Sequence, residues 1–294
     1  MKQKILILGS NGFLGKNISE ALSKLNEFVI YCPKRQDLNL LDSNSCNEYL
    51  KRILPDIVIH CAVDINSAED SLKIFFNIYN AKSFYGKLIQ IGSGAEYDKR
   101  CYVPLMSESQ YGLSVPVDTY GLSKYLISKE LESNSNSDKY LNLRLFGIYG
   151  PYEDYSRRFI SNNIWRVISG LGISINRDMY FDYIYVDDLT QLLSIVLSGK
   201  RFSSTSYNFC SGSPVLLSDL AKIIANTMNY RGNIEIRKEG MNPEYSGSCS
   251  KLLREVGNFN FTCHQKNIEK LVDFYQRIKT PELINSFRQL SNGQ

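Results

Sequence analysis

The chain has only two histidines among its 294 residues, and its seven cysteines are scattered with no Cys-x-x-Cys pair. Zinc sites draw on clustered Cys and His ligands, so no metal is expected. An odd, dispersed cysteine set does not suit a disulfide scaffold, and free thiols in a reducing cytosol are the expected state. No apolar run approaches the roughly 18–20 residues that span a bilayer. The N-terminal run Ile5–Leu8 is too short for a signal peptide and meets glycine at once. A cytoplasmic protein with no membrane partner is therefore expected. Charge of one sign is lacking as well. Thirty-four cations stand against 30 acids, a net +4 with no polybasic block, so nucleic acid is not an expected partner. What is present is ordinary for a globular protein: 43% hydrophobic and 22% charged residues, in a length that suits one large or two interlocked domains.

Short apolar runs alternate with helical spacing through the first half. Strands are predicted at Lys4–Leu8, Phe28–Cys32, Ile57–Val63, Lys87–Ile91 and Leu141–Phe146. Helices are predicted at Gly12–Lys24, Cys46–Ile53, Phe75–Tyr85 and Thr119–Glu132. That alternation predicts an α/β fold built on a Rossmann-type, doubly wound parallel sheet. After Gly150-Pro151 the rhythm changes. Helices are expected at Arg157–Ser169, Asp187–Ser198, Ser218–Asn229 and Ile268–Lys279, with a strand at Tyr180–Val186. The reading is a dinucleotide-binding domain over 1–150 and a smaller α/β substrate lobe over 151–294, a segment near 180–205 returning to the first. Residues 132–138 read as a polar surface loop and 280–294 as a poorly packed tail.

Gly9-Ser-Asn-Gly12-Phe-Leu-Gly15 lies between the first strand and the first helix. Gly9 permits the tight turn, Gly12 lets backbone approach a pyrophosphate, and Gly15 lets the helix lie close to the strand. An NAD site usually ends its second strand with an acid that holds the ribose 2′-hydroxyl. Here the strand runs into Tyr31-Cys-Pro-Lys34-Arg35, with two cations and no acid. A guanidinium grips a 2′-phosphate bidentately where a carboxylate would repel it, so NADP is favoured over NAD. The alternative use of Lys34 and Arg35 is a solvated loop.

Tyr120 and Lys124 are four apart at the start of a predicted helix and share one face, so the ammonium acts electrostatically on the phenol. Such a phenol can pass a proton to or from a sugar oxygen. Ser93, just past the strand Lys87–Ile91, brings a hydroxyl toward the same oxygen.

With these motifs in place the chain resembles the extended short-chain dehydrogenase/reductase family, the NAD(P)-dependent sugar epimerases and dehydratases. The resemblance includes Gly9-x-x-Gly12-x-x-Gly15, Ile59-His-Cys-Ala62, Ser93-Gly-Ala-Glu-Tyr97, Tyr120-x-x-x-Lys124 and Arg144–Pro151. It continues in Asp182–Leu189 and Tyr207–Gly212. The segment Arg35–Asp42 looks most like the GDP-fucose synthase-like 4-reductases of that family. The resemblance implies Ser93, Tyr120 and Lys124 as catalytic residues. For the cofactor it implies Gly9, Asn11, Gly12, Phe13, Leu14 and Gly15, then Lys34, Arg35, Asn39 and Leu40. Cys61, Ala62 and Phe146 join Tyr120 and Lys124 toward the nicotinamide. The implied substrate contacts are Ser93, Gly94, Ala95, Glu96, Gly147, Arg158, Phe159 and Lys238.

The departures from the family pattern narrow the chemistry. The acid pair that dehydratases carry after the catalytic hydroxyl residue is here Gly94 and Ala95. The Cys and His with which GDP-fucose synthase epimerises its substrate fall on Ala95 and Phe159. Gly147 and Phe181 replace an Asn and an Arg that often serve the sugar diphosphate. Arg157, Arg158 and Lys238 could replace that charge or could be solvated surface cations. Glu96 reads as a local structural hydrogen bond in preference to a substrate contact. His60 reads as structural, and His264 as a surface histidine.

What remains serves hydride transfer at one carbon. The expectation is an NADPH-dependent reductase of a nucleotide-diphospho-4-keto-6-deoxy sugar, working in deoxysugar biosynthesis for surface polysaccharide. The alternatives are a C4-epimerase with tightly bound NAD and, outside enzymes, an NADP-binding sensor or scaffold. The resemblance also implies a homodimer that pairs the helix of Tyr120 and the helix near Phe75–Tyr85 with their mates. Phe75, Ile78, Tyr79, Leu122, Leu126 and Leu131 would supply the apolar stripes, unless the monomer buries them.

Overall fold

The structure is a computed structural model that describes residues 2–134 and 136–292. The chain runs β1 (Gln3–Leu8), α1 (Phe13–Leu25), β2 (Phe28–Tyr31), α2 (Ser43–Ile53), β3 (Ile57–His60), α3 (Ala68–Asn80), β4 (Lys87–Ser93), α4 (Thr119–Ser133) and β5 (Tyr140–Leu145). It continues through β6 (Gly147–Tyr149), α5 (Phe159–Ile168), β7 (Ser174–Ile175), β8 (Tyr180–Phe181), β9 (Tyr183–Tyr185), α6 (Val186–Leu197) and β10 (Ser206–Phe209). The last elements are β11 (Val215–Leu216), α7 (Leu217–Thr227), β12 (Glu235–Ile236), α8 (Ser250–Val256), α9 (His264–Ile278) and α10 (Pro281–Asn292).

Six strands form one parallel sheet in the order β10-β5-β4-β3-β1-β2. Ile5–Leu8 of β1 is buried on both faces, as expected of a strand covered by helices on each side. Ile18 and Leu22, one turn apart on α1, bury their side chains, and Gly15 lies against the preceding turn. The strand order reverses beside β1, with β2 on one side and β3 on the other. The C-terminal ends of β1 and β3 therefore open a crevice, the usual ligand position in such sheets. β10, from the second half of the chain, pairs with β5, while β6 pairs with β9 outside the sheet.

Several elements differ from the sequence reading. α3 starts at Ala68 rather than Phe75, because Ser67 caps it by accepting from the Asp70 amide. Its first turn is acidic, which favours a helix start but hides the apolar period. Tyr180–Val186 divides into two short strands that pair with different partners. α4 runs on to Ser133, into the expected loop, of which Ser135 lies outside the described residues. The expected loose tail is α10, whose Phe287 is buried against Trp165 and Tyr155. Residues 293–294 of that tail lie outside the described residues. Of the six residues expected at a dimer interface, Phe75, Ile78, Tyr79 and Leu131 are buried within this chain; Leu122 is half-buried and Leu126 exposed.

Candidate active site

The β1–α1 turn shows which of its glycines the fold itself needs. Gly9 has φ +77°, and a Cβ there would stand 2.8 Å from the Ala62 nitrogen. A Cβ on Gly15 would stand 2.2 Å from the Gly9 carbonyl oxygen, so α1 packs on the turn only because that atom is missing. Gly12 is different. Its φ is −81°, and an added Cβ would have an ordinary 3.4 Å approach to Gly9. Nothing in the chain demands glycine at 12, which leaves open space at the start of α1. That helix has no side-chain cap and no acid in its first turn, so its amides and dipole face an approaching anion unopposed. This cradle fits a dinucleotide pyrophosphate.

A cavity of about 300 Å³ continues from the turn. Gly9, Asn11, Gly12, Arg35, Asn39 and Leu40 line it. Asp64 and Asp70, which belong to no sequence motif, also line it. Arg35 is solvent-exposed and, among the described residues, has no ion-pair partner. Lys34 is not brought to this cavity; its backbone amide turns to the Asp37 carboxylate at 3.1 Å.

A second cavity, of about 590 Å³, brings Ser93, Tyr120 and Lys124 together with Phe13, Leu14 and Cys61. Ser93 ends β4, where its Oγ accepts from the Ala95 amide at 3.1 Å and keeps its own proton to donate. Asp118 caps α4 through the Gly121 amide at 2.9 Å, which sets Tyr120 in the first turn and Lys124 one turn on. Lys124 is buried, and its Nζ donates to the Ile91 carbonyl at 2.7 Å while standing 5.9 Å from the Tyr120 ring centre. Burial pushes the Cys61 thiol up to about 12, so it is no nucleophile at neutral pH.

Glu96 is not a wall residue of this cavity, which corrects the substrate-contact reading. It is fully buried, accepting from Arg144 Nε at 2.5 Å and from the Ser93 amide at 2.9 Å. Arg144 in turn reaches Ser128 and Glu132. The pair holds the backbone of Ser93 from behind. Phe159 and Lys238 are corrected too. Phe159 starts α5 and packs against a second core, the cluster around Tyr149, Trp165 and Tyr275, and Lys238 is exposed and apart from the cavity. Ala95, Phe146, Gly147 and Arg158 do line the wall. Gly94 and Ala62 abut the two sites through backbone without being wall residues.

Neither histidine reaches the cavity. Burial, with Lys124 nearby, lowers the pKa of His60 to about 3 and keeps it neutral, and its ring nitrogens have no hydrogen-bond partner among the described residues. His264 is half-buried rather than a surface group, with Nδ1 3.0 Å from the Tyr149 hydroxyl. Among the described residues no cluster of acids, histidines and cysteines could hold a metal ion, and no helix is long and apolar enough to cross a membrane.

No local pattern marks Tyr102, Tyr245 or Glu153, each a single residue that tertiary folding delivers to the wall. A Cβ at Gly94 would stand 2.4 Å from the Tyr245 hydroxyl. That phenol fills the volume a side chain at position 94 would need. Asp182, from another motif, is also a tie: it accepts from the Ser211 and Gly212 amides at 2.8 and 2.9 Å and joins β8–β9 to the end of β10.

A family model, the NAD dependent epimerase/dehydratase family, matches residues 5–210. GDP-L-colitose synthase of Yersinia pseudotuberculosis is 22% identical over 92% of this chain and 97% of its own. A GDP-L-fucose synthetase from Naegleria fowleri bound to NADP superposes with TM-score 0.80 at 16% identity, covering 94% of this chain and 95% of that one. A UDP-glucose 4-epimerase from Thermotoga maritima, with UDP-glucose, superposes with TM-score 0.78 at 17% identity, covering 94% of this chain and 99% of that one. At these identities the superpositions show a shared fold and no more.

Proposed function

The chain belongs to the NAD dependent epimerase/dehydratase family, and from that premise we propose that it is an NADPH-dependent reductase of a nucleotide-diphospho-4-keto-6-deoxy sugar. The observation that carries this reading is the composition of one cavity wall: Ser93, Tyr120 and Lys124 stand on it, while positions 94 and 95 beside them are Gly and Ala. The groups needed to protonate one oxygen are kept, and the two positions beside the serine carry no group that could move a proton at carbon.

When bound, the dinucleotide supplies hydride to C4 of the sugar. Tyr120 gives its hydroxyl proton to the C4 oxygen, and Ser93 donates a hydrogen bond to the same oxygen. Lys124, tethered to the Ile91 carbonyl, keeps a positive charge beside the phenol as its proton leaves. Glu96 and Arg144 act as positioning residues for Ser93. Gly9, Asn11, Gly12 and the start of α1 hold the pyrophosphate, and Arg35 meets the 2′-phosphate. The NADP in the solved Naegleria relative is consistent with that choice of cofactor.

The test is NADPH oxidation against 4-keto-6-deoxy sugars linked to GDP, CDP, dTDP and UDP, with at least one expected to be reduced. Deuterium from labelled NADPH should appear only at C4. In deuterated water no enzyme-dependent label should enter C3 or C5, and label there would overturn the reading. A purified protein that retains NAD through gel filtration would identify a C4-epimerase instead.

A further inference from the structure

One acid on the cavity wall takes no part in that chemistry. Glu153 follows the Gly150-Pro151 turn, is only 6% exposed, and still lines the 590 Å³ cavity. Ser161 on α5 donates to its Oε2 at 2.6 Å. Among the described residues Glu153 has no ion-pair partner. Three cations share the cavity. Lys124 is held on the Ile91 carbonyl and Lys99 faces Asp118 at 3.4 Å, whereas Arg158 has no anionic partner among the described residues.

We propose that Glu153 is a recognition residue for the nucleotide-diphospho sugar, donating a hydrogen bond from its carboxyl to a diphosphate oxygen beside Arg158. The inference rests on the nucleotide-sugar reading above. The diphosphate is the charged part of such a ligand, and Arg158 is the cation on this wall left to meet it. An ionised carboxylate next to the diphosphate would repel it; a carboxylic acid has a proton to donate.

The surroundings keep that proton. Burial raises the Glu153 pKa to about 8, against the opposing effects of the Ser161 hydrogen bond and Arg158. Asp154 beside it works in the same direction as burial. The other titratable groups that face it are Tyr183 from β9 and Tyr275 from α9, and burial pushes both phenols above their usual range, so neither adds charge. A raised carboxyl pKa means the donor is present below about pH 8 and is lost as pH rises through that value.

Calorimetric titration with GDP-mannose, UDP-glucose, dTDP-glucose and CDP-glucose tests this, because their esterified diphosphates do not titrate near neutrality. The affinity of the wild type for the nucleotide sugar it prefers should fall about tenfold between about pH 6.5 and about pH 9. Binding at the higher pH should take up close to one proton, read from buffers of different ionisation enthalpy. Glu153→Gln keeps a donor and cannot ionise, so it should bind within about threefold of wild type at the lower pH and show no alkaline fall. If that variant fails to fold, the wild-type profile and proton count still decide. Binding by the wild type that is flat in pH, or an alkaline fall that survives in Glu153→Gln, overturns the inference alone. No binding by any of the four overturns the nucleotide-sugar reading and this inference with it.

Discussion

Two single residues set what the molecule should do to a carbonyl and to its cofactor. Tyr120→Phe removes one oxygen from a half-buried ring at the start of α4, which leaves the Asp118 cap and the Lys124 tether in place. Fold and cofactor binding should persist while turnover drops by roughly 10²–10⁴, the usual worth of general acid catalysis. Steady-state kinetics on the reduced sugar check it, and a rate within about threefold of wild type would sink the assignment. Arg35 is exposed on the wall of the smaller cavity, with no partner among the described residues to compete for it. Arg35→Ala should weaken NADPH by roughly 10- to 150-fold, the worth of one charge-assisted hydrogen bond, and leave NADH almost unchanged. Calorimetry with both cofactors reads the ratio. These residues were legible because each belongs to a pattern with fixed spacing. Glu96 was half legible: its place beside Ser93 stood out, but the partner that explains it, Arg144, is 48 residues away and meets it only in the folded sheet.

At the scale of elements, legibility followed the burial pattern. β1, β3 and β5 are buried along their whole length on both faces or nearly so, and a short unbroken apolar run is their signature. β5 keeps that burial with Asn142 and Arg144 inside it, because both donate to Glu96. The glycine turn was legible for the same local reason, a strand, a tight turn and a helix in immediate succession. α10 was not. It starts at Pro281, is mostly polar, and is anchored by one large residue, Phe287, packed beside Trp165 on α5. Nothing local announces such an anchor, since its apolar partners lie more than a hundred residues earlier. The element is nonetheless part of the second core, and Arg288 adds a hydrogen bond from its Nε to the Ser169 carbonyl at 2.8 Å. Phe287→Ala should therefore lower stability by about 3–5 kcal/mol, the range for emptying a buried aromatic site. Chemical denaturation monitored by the fluorescence of Trp165 provides the measurement. A change below about 0.5 kcal/mol, typical of a surface substitution, would return the segment to a loose tail.

At the scale of the whole molecule, the pair α3 and α4 keeps several apolar side chains only partly covered. α3 and α4 lie side by side, and the residues first expected to meet a second copy, Phe75, Ile78, Tyr79 and Leu131, are spent on this chain's own core. The less covered apolar residues of the pair include the other two of that expected set. Leu72 and Phe76 are one turn apart and half-buried on α3, and Leu122 and Leu126 are one turn apart on α4, half-buried and exposed. Val117, just before α4, is 70% exposed. Paired helices with partly covered apolar residues at four-residue spacing match what a two-fold, four-helix interface needs. We expect a homodimer in which Leu122 and Leu126, two of the six expected residues, meet their mates together with Leu72, Phe76 and Val117. Light scattering at micromolar concentration should give about twice 33.6 kDa. The double substitution Leu122→Glu and Leu126→Glu should give a folded monomer, because like charges would then face each other across the two-fold axis while neither position is fully buried within the chain. A wild type that already has the mass of one chain would reject the dimer. A variant that remains dimeric would move the interface to another face.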